Sequence, residues 1–503
     1  MNFIGNAPSD VVSYYECERL VQDLNSFDLA SYCSKDWLRQ HELISKLNIQ
    51  AHINAMTRGE EYVMESLATF EKMPVLLHEL LLSYIWKREV LPKIQGKVAD
   101  CGIKGYIALF HESLVLNLID IVSFHKTALV ALDKFVVDLI DYCYEKISML
   151  IAKGNKQYPF SRKIAEVGSR TEELECQNNK LEFGIQMSSL SILRYISDHL
   201  SDLGVSSITF MVNERDVLMA LVALIESRPW LARSENGARL VWEDNQFKEV
   251  LPQNYDKIPK IEGQAWLCIY NLIFGKAVAD CYEITESRKN WLLRLKKYLN
   301  DILIDQIPVL GQLRVTLDHM SLANTTAVQK SSPFIIATIP EIKETIIRNA
   351  NIAAIAKKQE TEVFNREFTA EEFEELGRLG EIYTNDIFSY ESKEEIHLCA
   401  NCGIDATKRC SRCKAVWYCS KECQVKHYKE SHKKVCVDVS GGKGPQSKEG
   451  KPTQVATKTN TDKEVKSEMK LISQVKHHDE ISSHDKSSKG KLNSSQVDYE
   501  ELN

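Results

Sequence analysis

Apolar residues along residues 1–390 recur with the three-to-four-residue step of a helix. Between His111 and Lys126, Leu114, Val115, Leu118, Ile119 and Val122 share one stripe, and Leu129, Leu132, Phe135, Val136, Leu139, Ile140 and Cys143 form the next. Met73 to Trp86, Val217 to Ile225 and Ala265 to Phe274 carry the same signature. A membrane span takes about 18 or more uninterrupted apolar residues. None of these runs reaches that, so they predict core helices and no membrane span. Paired helices without a strand–helix–strand rhythm give a mostly α body, either an armadillo- or HEAT-like helical-repeat array or an irregular helical bundle. No consensus repeat at a fixed period chooses between them.

The pattern changes at four places. Arg239 to Val250 alternates on either side of Asp244-Asn245, which predicts a small hairpin or a structured loop, with Trp230, Trp242 and Trp266 available to pack around it. Ile342 to Phe364 predicts one long helix. Thr369 and Glu372 form a capping box for a second, acidic helix ending near Tyr383, weakened inside by Gly377 and Gly380. Residues 385–395 read as a hinge. From residue 438 the chain turns to Ser, Lys, Gly, Gln and Thr with Tyr499 the one aromatic, so 438–503 is expected to be a disordered spacer. The expected organisation is a helical body (1–390), a metal-binding finger (396–437) and this tail.

The finger is where composition turns into chemistry. Seven of the 14 cysteines fall in 38 residues and, with His432, one of two histidines there, read as Cys399-x2-Cys402-x7-Cys410-x2-Cys413-x5-Cys419-x3-Cys423-x8-His432-x3-Cys436. Zinc takes four thiolate or imidazole ligands in a tetrahedron, and close pairs supply two each. Eight ligands make two closed zinc sites, and their order suggests a cross-brace. Cys399, Cys402, Cys419 and Cys423 would hold one ion; Cys410, Cys413, His432 and Cys436 the other. Cys419/Cys423 and His432/Cys436 are spaced i,i+4, which puts both members on one helical face, and Ser420 is placed to cap the first such helix. The chain opens with no secretory apolar core, which favours a reducing compartment and metal over disulfides. Cys17, Cys33, Cys101, Cys143, Cys176, Cys268 and Cys281 are scattered singly and read as small buried hydrophobes.

Charge argues against a nucleic-acid partner. Sixty-three Lys and Arg against 70 Asp and Glu leave the chain at −7, and residues 391–436 carry ten basic and six acidic residues without a dense stripe. From Val437 on, eleven Lys balance eleven Asp and Glu, so the tail is no polybasic arm. Catalytic signatures are missing. There is no phosphate-binding loop and no G-x-S-x-G elbow, and His41, His78 and His111 are each followed by Glu without the second histidine of HExxH. These histidines read as ordinary surface or hydrogen-bonding residues, and the many Asp/Glu pairs as solvated helical faces. No enzyme is expected.

The segment 399–436, with its Tyr418-Cys419-Ser420-x-Glu422-Cys423-Gln424 core and Tyr428, closely resembles the MYND zinc finger. That resemblance implies a protein-binding module, often for proline-containing peptides, with Trp417 and Tyr418 as candidates for its surface. A domain this small needs at least one of them in its core, and that role is assigned to Tyr418, leaving Trp417 for the partner. The family keeps three residues between the histidine and the last cysteine, which favours His432 over His427 as ligand. It usually places seven residues before that histidine, and this chain has eight. One extra residue turns a helix by about 100°, so the helix should break between Lys429 and Ser431.

The body carries a second resemblance. Trp37-x3-His41-Glu42, Lys46-Leu47-Asn48-x-Gln50-Ala51, His111-Glu112, Phe124-His125-Lys126, Asp141-Tyr142-Cys143, Gly263-Gln264-x-Trp266 and Ile339-Pro340-Glu341-Ile342 are similar to the MYND-finger proteins that preassemble axonemal dynein arms in the cytoplasm of ciliated cells. This implies a non-enzymatic adaptor, a chaperone cofactor needed for ciliary or flagellar motility. Its implied partners are a leucine-rich-repeat dynein assembly factor and the Hsp90-type chaperone machinery, with dynein heavy and intermediate chains as clients. Its implied location is the cytoplasm, extending to the centrosome, centriolar satellites or ciliary base. MYND fingers also occur in nuclear corepressors, the alternative reading. They occur in SET-domain methyltransferases too, whose Asn-His-Ser-Cys signature this chain lacks.

Overall fold

Five of the body's helices begin where the chain supplies a capping oxygen. Ser13, Ser169, Thr285, Asn300 and Asn351 each accept a hydrogen bond from the backbone N–H three residues on, satisfying a donor the helix leaves open. In the computed structural model the described residues are 10–57, 59–153, 168–234, 236–322, 339–348, 350–365, 400, 402, 408–409, 416–430 and 432–434. They fall into two compact units, the body and the finger.

The body opens with α1 (Tyr14–Gln22), α2 (Lys35–Thr57), α3 (Tyr62–Thr69) and α4 (Met73–Ile85). A π-helical turn over Trp86–Val90 leads into α5 (Leu91–Asp100) and α6 (Ile103–Val122). Then come α7 (Lys126–Val130), α8 (Val136–Lys153), α9 (Arg170–Asp198), α10 (Val205–Thr209) and α11 (Val217–Ser227). After a small sheet follow α12 (Lys260–Phe274), α13 (Lys276–Ala279), α14 (Glu286–Leu293), α15 (Asp301–Gln306), α16 (Leu310–Leu322), α17 (Ile342–Arg348) and α18 (Ile352–Glu362). Two helices form the core. α9 packs against α5, α6, α8 and α12, and α6 against α2, α4 and α5. By length and composition α6 could cross a membrane, yet 83% of its most apolar window is buried inside the protein, and it carries Lys104, His111, Glu112 and Asn117.

Of the two readings of 239–250, hairpin or structured loop, the hairpin is the one that forms, and it gains a strand. β1 (Leu231–Arg233), β2 (Arg239–Glu243) and β3 (Gln246–Glu249) make an antiparallel sheet in that order, with Leu231 opposite Val241 and Trp242 opposite Phe247. Asp244 and Asn245, at φ 48° and 55°, give the left-handed two-residue turn whose twist suits a hairpin. Trp242 meets Phe183 of α9 edge-on at 4.5 Å, Trp230 Nε1 donates to Glu262 at 2.9 Å, and Trp266 is fully buried in α12.

Three expectations fail, the first two for local reasons. The stripe over 129–143 is not one helix: Asp133, at φ 48°, breaks it, and α8 starts afresh after a 3-10 turn. The single helix over 342–364 is two, because Asn351 caps a new start by accepting from Ala354 N at 3.1 Å. The acidic residues do not all face solvent: Glu79, Glu112, Asp138, Asp141 and Glu262 are buried among partners. Tyr142 and Lys146 bond Glu112 at 2.7 and 2.8 Å, and Lys87 reaches its other oxygen at 2.7 Å. Of the scattered cysteines, Cys17, Cys33, Cys143 and Cys268 are buried, and Cys101, Cys176 and Cys281 partly so.

The end of the body returns to its beginning. The Gln359 amide donates to Leu29 O and Tyr32 O at 3.1 and 3.2 Å, and its Oε1 accepts from Trp86 Nε1 at 2.8 Å. Asp138 accepts from Ile342 N at 2.9 Å, and Lys343 bonds Asp141 at 2.6 Å. A one-dimensional repeat stack touches only its sequence neighbours. This closure over about 330 residues of chain fits the irregular arrangement better. The capping-box helix near Thr369, the hinge and the tail lie outside the described residues.

Candidate metal centre

The finger places its thiols with very little chain. β4 (Lys408–Arg409) and β5 (Trp417–Tyr418) pair antiparallel, Lys408 opposite Tyr418, so Cys419 leaves the ladder at a fixed position. Ser420 Oγ accepts from Cys423 N at 3.3 Å and starts the helix α19 (Lys421–Glu430), which sets Cys423 one turn along on the face of Cys419. Cys402 Sγ lies 3.4 Å from Cys419 Sγ and 3.8 Å from Cys423 Sγ, and the last two are 3.6 Å apart. A tetrahedral zinc with Zn–S near 2.3 Å has sulfur–sulfur edges of about 3.8 Å. The three thiols are therefore spaced as one face of a zinc tetrahedron would be, and they are the metal-competent cluster among the described residues.

α19 stops at Glu430, and His432–Lys434 form a 3-10 turn. That break is the one the extra spacer residue demands. His432 is 2% exposed and Tyr418 fully buried, as its core role requires. The His427 Nδ1 lies 2.9 Å from the Tyr418 hydroxyl, a contact the spacing of cysteines and histidines gave no means to foresee. Cys399, Cys410, Cys413 and Cys436 lie outside the described residues, as does the Trp417 side chain, so of the eight expected ligands the structure brings together Cys402, Cys419 and Cys423 and separately places His432.

In the body, a cluster of polar side chains was equally illegible. Glu79 is wholly buried, with Trp37 Nε1 at 2.7 Å and His111 Nε2 at 3.1 Å from Oε1, and Gln40 Nε2 at 2.9 Å from Oε2. His111 Nδ1 meets His41 Nδ1 at 2.7 Å. The two histidines are thus hydrogen-bonding core residues, not surface ones. Burial pushes the Glu79 carboxyl up to about 7 and His111 down to about 3. At Glu112 burial acts the same way but is outweighed by Lys146 and Lys87, which hold it below the usual carboxylate range.

The MYND finger family matches residues 399–436. Over 444 aligned residues the chain is 29% identical to the zinc finger MYND domain-containing protein 10 homolog of Drosophila melanogaster, across 83% of this chain and 97% of the fly protein. Ubiquitin carboxyl-terminal hydrolase 15 of Arabidopsis thaliana is 50% identical over 48 residues, 10% of this chain and 5% of the hydrolase. Programmed cell death protein 2 of Bos taurus is 38% identical over 72 residues, 11% of this chain and 21% of that protein. No solved structure matches the chain. A finger of 38 residues cannot supply a likeness spanning 83% of the chain, so the helical body takes part in the resemblance to the fly MYND protein. A match to 5% of the hydrolase is too short to bring its activity along.

Proposed function

We propose that this chain is a non-enzymatic adaptor for the cytoplasmic preassembly of axonemal dynein arms, with a closed two-zinc finger and a helical body that carries protein partners. The observation that supports it most is the alignment with the fly MYND protein over 97% of that protein's length, added to the body motifs from Trp37 to Ile342. The first zinc is held by Cys399, Cys402, Cys419 and Cys423, and the second by Cys410, Cys413, His432 and Cys436. Four protein ligands on each ion leave no coordination position for substrate water, which makes the ions structural: they supply folding free energy to a finger too small for its own core. The partners on this reading are a leucine-rich-repeat assembly factor and Hsp90-type chaperones, and the clients are dynein chains.

Two measurements test it. Metal analysis of the purified chain should return two zinc equivalents; one or none overturns the ligand set. Affinity purification from ciliated cells should recover assembly factors and chaperones with the intact chain and with a deletion of 440–503, and lose part of that set without the finger. Normal dynein arms in cells lacking the protein would overturn the functional reading.

A further inference from the structure

Of the residues assigned to the second zinc, His432 is the described one, and its imidazole is enclosed by rings. The Tyr418 ring lies 6.3 Å away at 67°, Tyr428 6.0 Å away at 72°, and His427 5.6 Å away and nearly parallel at 11°. His427 is in turn fixed at a second point, by the 2.9 Å bond between its Nδ1 and the hydroxyl of the fully buried Tyr418. On an uninterrupted helix, residues five apart point about 140° away from each other, and two such rings cannot stack. The two rings stack here, where α19 has ended at Glu430 and His432 opens a 3-10 turn. The extra spacer residue is absorbed at that point, and the face receiving the displaced histidine is the His427 ring.

We propose that His427 is a positioning residue for the second zinc: pinned by Tyr418, it presents a flat ring that sets the His432 imidazole in place before the metal arrives. The proposal rests on His432 being a ligand of that ion. Without the ring, His432 sits on a short turn at the end of a helix and must be ordered as the ion binds, which costs affinity. Outer groups that orient a ligating histidine typically contribute 10- to 100-fold to metal affinity. Stacking needs a ring but no particular nitrogen, whereas the Tyr418 bond needs Nδ1, so the two contributions separate by substitution.

The test is titration of the full-length chain with Co2+, whose absorption distinguishes an all-thiolate site from one with three thiolates and an imidazole, followed by Zn2+ competition against a chelator. His427→Ala should still take two ions and keep the mixed-ligand spectrum, while its second site weakens about 10-fold or more. His427→Phe, which keeps the ring and its volume, should recover most of that loss, and Tyr418→Phe should weaken the second site in the same direction as His427→Phe. Unchanged second-site affinity in His427→Ala overturns the proposal. So does loss of the mixed-ligand spectrum in His427→Phe, because it makes His427 itself the ligand. Failure of the premise looks different: a wild-type chain that takes one ion, or a His432→Ala chain that still takes two.

Discussion

Glu79 shows how far a residue's environment can depart from its sequence neighbourhood. In the heptapeptide around it, His-Glu followed by leucines reads as a chance pairing on a helix. In the fold the carboxyl is enclosed by Trp37, Gln40 and His111, and burial pushes it up to about 7. An acid whose folded pKa lies above its unfolded one adds stability that is complete below the unfolded value and lost as pH rises through the folded one. Glu79 therefore destabilises the body progressively between about pH 4.5 and 7, by on the order of 3 kcal/mol in full. His111, pushed down to about 3, acts oppositely, losing stability as pH falls below about 6.5. Glu79→Gln isolates the first effect, since glutamine stays neutral. Its stability relative to wild type, by chemical denaturation, should be clearly greater at pH 8 than at pH 5. A difference independent of pH would mean that the carboxyl does not titrate in this range.

At the scale of elements, one close approach fixes how α5 meets α6. A Cβ built on Gly105 would lie 2.2 Å from Val98 O, inside any permitted contact and against backbone that cannot swing aside. Gly105→Ala should push the helices apart and lower stability by about 1–3 kcal/mol, read as a drop in thermal midpoint. Gly96, within α5, has open space around it. Gly96→Ala should be neutral or stabilising by up to about 1 kcal/mol through helix propensity, and equal losses at both sites would remove the packing argument. The elements themselves were largely readable. Periodicity placed α6, α11 and α12, and the Asp244-Asn245 pair placed the hairpin, since short polar side chains tolerate positive φ. The misreadings, at Asp133 and Asn351, came from single residues that break a stripe without interrupting its hydrophobic period.

For the whole molecule, closure of the body rests on a side chain whose sequence position gives no hint of it. Gln359, in a polar stretch of α18, serves Leu29, Tyr32 and Trp86 at once and is 1% exposed. Gln359→Leu keeps similar bulk but leaves two carbonyls and an indole N–H unpaired, each costing about 1–3 kcal/mol. The body should lose on the order of 3 kcal/mol or more, and amide exchange should rise first in 342–364. If exchange rose evenly across the body, α17 and α18 would be part of the common core rather than a segment laid over it.

What the sequence determined by itself is local: which stretches are helical, where a two-residue turn fits, where a helix must break after Lys429, and which side chains suit zinc. Each follows from spacing along a few consecutive residues, and hydrophobic period or ligand spacing records it directly. Tertiary structure alone decided which polar groups go inside. Glu79 with His111, Glu112 with Lys146 and Gln359 with Trp86 lie 32, 34 and 273 positions apart, so no local window contains both partners. A buried polar group is tolerable only when its partner is present, and that condition is set by which helices the whole chain brings together.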